Sequence, residues 1–179
     1  MILPARPEVG KERYLSHSKG IGGKLRKIPE DFNVEEIISN NDKSHWIWSK
    51  ENDSGKHSIV KITANNWDTH VLIKELSRKL GIGQKAIGFA GTKDKRALTT
   101  QYFSLMAKPN KIKNLNIKNV EIEFKHKAIK PIRLGNLVGN KFIIKISDIK
   151  GKKKDIEKLA DELKEGFPNY FGIQRFGAV

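Results

Sequence analysis

Apolar side chains at every second position mark several stretches of this chain, and a two-residue period belongs to a half-buried strand rather than a helix. Val60, Ile62 and Ala64 share one face of residues 58–64. Val120, Ile122 and Phe124 alternate with Glu121 and Glu123, and Phe142, Ile144 and Ile146 repeat the pattern less cleanly. Phe32 and Val34 alternate with polar neighbours, as do Trp46 and Trp48 further on. The polar, glycine-containing residues 49–56 read as a hairpin loop leading into the strand at 58–64. Residues 85–91 read as a short buried strand and 101–105 as another.

Helical spacing is confined to two segments. In residues 67–80, Leu72, Leu76 and Leu80 recur every four residues, with Val71 and Ile73 widening the apolar face. Asn66 or Asp68 can cap the start, Arg78 and Lys79 suit the last turn, and Gly81 can end the helix in a left-handed conformation. Residues 155–165 place Ile156, Leu159, Ala160 and Leu163 on one face, and Gly166 and Pro168 close the segment. Residues 108–118 read as a lysine-rich connection. The expected fold class is α+β: a mixed, mostly antiparallel sheet with helices packed on one face.

The charge balance narrows the partners. Lys and Arg total 35 against 20 Asp and Glu, a formal net charge of +15. Such an excess attracts polyanions, nucleic acid first among them. A lysine-rich proteome, in which lysine only solubilises the surface, would give the same imbalance. The excess rests on 28 lysines and only 7 arginines, which favours general phosphate attraction over base reading through guanidinium forks. No apolar run suits a transmembrane helix, and the first residues lack the order of a secretory signal. Cysteine is absent, which excludes disulfides and cysteine-based zinc sites. The expected setting is the cytoplasm. The five histidines show no metal-ligand spacing, and the glycines at 20–23 are not spaced as a phosphate loop.

Chemistry concentrates in two stretches. In FAGTKDKRALTTQYFS, residues 89–104, Asp94 is flanked by Lys93, Lys95 and Arg96. A lone Asp among turn-forming residues is ordinarily an Asx turn or a helix cap. Here Ala90 and Gly91 are small enough to admit a substrate, and the cations favour an ionised carboxylate able to act as nucleophile or base. In PNYFGIQRFG, residues 168–177, Asn169, Gln174 and Arg175 interleave with Tyr170, Phe171 and Phe176. Core packing accounts for the phenylalanines but not for the polar groups between them. Aromatic faces with amides beside them form the set that stacks a flipped base and reads its edge.

Four stretches, in order, resemble the TruD-type tRNA pseudouridine synthases: PEDFNVEE (29–36), FAGTKDKRALTTQ (89–101), HKAIKPIRLGNLVGNKF (126–142) and PNYFGIQRFG (168–177). The resemblance spans nearly the whole chain. It implies that Asp94 is the catalytic aspartate and that Arg26 stands where the family places a basic residue near it, an Arg here rather than a Lys. It implies that Phe32 and Asn169 contact the target uridine and that Phe171 lies near the base. Lys93, beside the aspartate, is counted with the substrate-binding residues. The implied reaction converts a uridine of tRNA, at position thirteen in the D arm, to pseudouridine with no cofactor and no metal. Family members are longer, with an inserted domain and a returning C-terminal half. Residues 1–179 are therefore expected to form the N-terminal portion of a catalytic domain, completed by self-association or by a C-terminal half. The alternative expectation is a catalytically incomplete RNA-binding fragment of such an enzyme.

Overall fold

Helix α1 (Thr69–Leu80) has both ends fixed by local chemistry. The Oδ1 of Asp68 accepts from the main-chain N–H groups of His70 (2.9 Å) and Val71 (3.0 Å), two donors that the first turn would otherwise leave unpaired. Gly81 ends the helix at φ +67°, and its N–H donates to the Ser77 carbonyl. Leu72, Ile73, Leu76 and Leu80 are buried, whereas Val71 is 52% exposed. Of the two residues expected to widen the apolar face, Ile73 joins the core and Val71 does not.

The structure is a computed structural model that describes residues 16–37 and 55–166. Trp46, Trp48 and most of the expected hairpin loop lie outside the described residues, as does the stretch 168–177. The chain forms two units, Leu25–Ile146 and, separately, Met1–Lys24 with Ser147–Val179. No described helix is long and apolar enough to cross a membrane.

The larger unit holds strands β1 (Phe32–Ile37), β2 (His57–Asn65), β3 (Ile87–Phe89), β4 (Leu98–Leu105), β5 (Val120–Ala128) and β6 (Gly139–Ile144). Their order is β5-β2-β4-β1-β6, with β3 also pairing β4. Every pair is antiparallel except β1–β4, which is parallel. The fold is α+β with a mixed, mostly antiparallel sheet, as expected. Val60 and Ile62 of β2 and Phe103 and Leu105 of β4 pack with Leu72, Leu76 and Leu80 of α1.

A second helix reaches this core from the lysine-rich connection. Helix α2 (Pro109–Lys113) starts with proline, whose fixed φ suits a first helical turn, and buries Ile112 in the same cluster. The helix expected at 155–165 is α3 (Lys153–Glu162), which belongs to the smaller unit and has no buried residue. Within that unit the Glu162 carboxylate accepts from the N–H groups of His17 and Ser18 and from the Ser18 hydroxyl.

The alternation at residues 142–146 does not mark a buried face. Among the described residues strand β6 pairs only with β1, and Phe142, Ile143 and Ile144 are all exposed. Alternation requires a covered side, and residues 140–144 are all exposed.

One edge of β4 has two successive partners. Residues 98–100 pair with residues 33–35 of β1, and residues 103–105 pair with β3. Between them, among the described residues, Gln101 and Tyr102 face a strand only on the opposite side, where they meet Ile62 and Lys61 of β2. The site is built around that gap.

Leu76→Ala should destabilise the chain by about 2–5 kcal/mol, through lost burial and the cavity left behind. Val71→Ala should stay within about 0.5 kcal/mol, as surface changes do. Urea denaturation of the two variants checks the contrast.

Candidate active site

Strand β3 ends at Phe89 and β4 begins at Leu98, so residues 90–97 connect two antiparallel neighbours. The loop is tied down as it goes. The Ala90 carbonyl accepts from Gly135 N–H (2.8 Å), and the Gly91 carbonyl accepts from Gln101 Nε2 (3.3 Å). The Lys93 N–H donates to Thr69 Oγ1 (3.0 Å), at the first residue of α1. Gln101 and Thr69 are both 2% exposed, so two of these ties end on buried side chains.

Lys93 was expected to contact substrate, but its ammonium points into the protein. It donates to Glu36 Oε1 at 2.6 Å, and the two side chains are 4% and 1% exposed. The other oxygen, Oε2, accepts from Tyr102 N–H at 2.9 Å. Glu36 therefore fills the gap on β4, supplying the acceptor that β1 and β3 do not. Removing one member of a buried ion pair typically costs about 3–5 kcal/mol, because the other charge stays buried. The sequence carried a signal for this pair. Phe32, Val34 and Glu36 share one face of β1, so Glu36 is a charge at a core position.

Asp94, the next residue, is open to solvent, its side chain 46% exposed. Its Oδ1 accepts from Arg26 Nη2 at 3.1 Å. The Arg26 guanidinium also lies over the Phe32 ring, 3.8 Å from its centroid. Phe32 in turn meets Phe142 edge-on, with ring centroids 6.0 Å apart. Arg26 adopts φ +55°, a left-handed backbone that costs a residue with a Cβ about 1–2 kcal/mol. Its carbonyl accepts from Arg96 Nη2 at 3.4 Å.

The structure thus brings Asp94, Arg26 and Phe32 together and turns Lys93 inward. Asn169 and Phe171 lie outside the described residues. Of the cations flanking Asp94 in sequence, none is its partner; Arg26, distant in sequence, takes that place. Thr69, Glu36, Gln101 and Tyr102 support the loop, and only Glu36 could have been found from its strand phase. Among the described residues no group of three or more His, Asp or Glu side chains is arranged to hold a metal.

A solvent-open carboxylate on a tethered loop, faced by a guanidinium lying on an aromatic ring, has the parts of a carboxylate-based catalytic site for a planar substrate. Residues 8–179 match the family described as tRNA pseudouridine synthase D (TruD). A chain of Methanococcoides burtonii described as tRNA pseudouridine synthase D is 42% identical, across 96% of this chain and 39% of its own. A similarly described chain of Pyrococcus abyssi is 43% identical, across 92% of this chain and 38% of its own. A crystal structure of a tRNA pseudouridine synthase D from Methanosarcina mazei superposes with a TM-score of 0.82 at 38% identity, covering 96% of this chain and 39% of that one. The chain belongs to the tRNA pseudouridine synthase D family. It spans about two fifths of the length of the relatives it matches.

The Arg26–Phe32 contact should be measurable. A double-mutant cycle of Arg26→Ala and Phe32→Leu, followed by urea denaturation, should give a coupling of about 0.5–1 kcal/mol, as for a partly exposed cation–π pair. A coupling of zero would mean that the guanidinium does not rest on the ring in solution.

Proposed function

We propose that this chain carries the catalytic aspartate of a tRNA pseudouridine synthase, working in the cytoplasm on the uridine at position thirteen in the D arm of tRNA. Asp94 is the reacting carboxylate. Arg26 holds it and Phe32 offers a face to the flipped uracil. In this reading Asn169 and Phe171 are further contacts to the base, assigned by resemblance alone. The observation that carries the proposal is the junction of Asp94 with Arg26 over Phe32, in a chain of this family. The net charge of +15 supports an RNA substrate.

The reaction is an isomerisation and needs no group from outside. The C1′–N1 bond breaks, the uracil turns, and C1′ bonds to C5. The hydrogen on C5 leaves to solvent as a proton, and N1 takes up a proton in its place, so atoms and electrons balance. Asp94 acts either on the ribose carbon or on the uracil ring, and both routes use an ionised carboxylate. A second reading is an RNA-binding role without turnover. The observation favouring it is the net charge of +15, carried by 28 lysines and only 7 arginines.

Release of tritium from tRNA labelled at uracil C5 separates the readings, because forming the new bond must expel that hydrogen. The expected result is release by the native chain and none above background by Asp94→Asn, with tRNA binding retained in both. Release by purified Asp94→Asn at a substantial fraction of the native rate would sink the assignment of Asp94. A native chain that binds tRNA and releases nothing would favour the second reading.

A further inference from the structure

Lys93 is anchored through both its backbone and its side chain. The N–H is bonded to Thr69 Oγ1 at 3.0 Å and the ammonium to Glu36 Oε1 at 2.6 Å. The two anchors lie on different elements, α1 and β1. Glu36 is itself fixed by Tyr102 N–H of β4. Consecutive Cα atoms are about 3.8 Å apart, so Asp94 begins one virtual bond from a residue held at two points. Its carboxylate then meets Arg26.

We infer that Glu36 and Lys93 are positioning residues for the catalytic loop: their buried ion pair sets where Asp94 presents its carboxylate to the substrate. The inference rests on the reading of Asp94 as the reacting group. An apolar plug at position 93 could stabilise the loop but could slide in its socket. The ion pair cannot slide, because Oε1 and Oε2 are both committed and the ammonium has one buried acceptor to reach. Swinging Lys93 out to water would leave the Glu36 carboxylate buried without its counter-charge, so intermediate loop positions are disfavoured. Gly91 also fits this arrangement. A Cβ there would stand 3.5 Å from Leu137 Cδ2 and 3.9 Å from Lys93 Nζ, so the loop passes close over the ammonium.

The test is the double variant Glu36→Gln with Lys93→Met in the full chain. It removes both charges together, keeps an amide oxygen for Tyr102 N–H and fills the space of the lysine stem. Replacing a buried pair as a unit is often neutral for stability, so the melting temperature should stay near native. The main-chain N–H at position 93 should nevertheless exchange with solvent at least about tenfold faster, while Leu76 in α1 keeps its protection. Where the native chain turns over, kcat should fall about 10- to 100-fold with KM changed by less than about threefold, the mark of a misplaced reacting group. Native kcat or native exchange at position 93 in a folded double variant overturns the inference, leaving the pair a stabilising contact only. If the native chain shows no turnover, the functional reading fails and exchange alone decides this one. If the double variant does not fold, Glu36→Asp keeps both charges but draws the acceptor back by one methylene. The same acceleration at position 93 is then expected, and native exchange in that variant is equally fatal.

Discussion

The Glu36 carboxylate sits where the sheet changes partners. On one edge of β4 a parallel neighbour gives way to an antiparallel one, and the main chain between them would face a gap. Among the described residues, Gln101 and Tyr102 fall between the two pairings. Glu36 fills the gap by accepting from Tyr102 N–H and holding Lys93 with its second oxygen. The junction of β1, β3 and β4, the entry into the loop and the position of Asp94 all follow from that one side chain. A buried charge is a costly way to fill a gap unless the charge also does something. Here it fastens a loop from outside the strands.

Two ion pairs stand within a few residues of each other and differ in kind. Lys93–Glu36 is shut away from water, whereas Arg26 and Asp94 are 33% and 46% exposed. Exposed pairs contribute little to stability and exchange partners cheaply. The inner pair therefore gives the loop its place, and the outer pair leaves a carboxylate open to solvent. Arg26 accepts a left-handed backbone to make this arrangement. Local strain is tolerated where surrounding contacts over-determine the residue, and Asp94, Phe32 and Arg96 do so here.

What was legible in the sequence was local. The cap at Asp68, the stop at Gly81 and the leucine row of α1 depend on neighbours a few residues away, and all three are present. The strands at 58–64 and 120–124 are likewise legible, because one side of each faces the core or its margin. Short-range pattern could not show that β1 runs parallel to β4, or that the alternation at 142–146 falls on exposed residues. Helix α2 was hidden by its lysines, although Pro109 and Ile112 marked its start and its anchor. At the site, the composition of the loop pointed to Asp94. The inward turn of Lys93 was not legible there, since it is decided by a carboxylate 57 residues away.

The course of residues 90–97 has a consequence for how this protein can change. Loops are ordinarily the places where chains gain and lose residues. This loop leaves β3 opposite Phe103 and must rejoin at Leu98, a displacement of about 17 Å at the usual rise per strand residue. Along the way it touches fixed points at Gln101, Thr69 and Glu36. One residue more or less would put every later side chain out of step with those points, exchanging the buried lysine for the outward aspartate. The segment is a loop by hydrogen-bond pattern but is metered like a strand, and its length is as constrained as its composition.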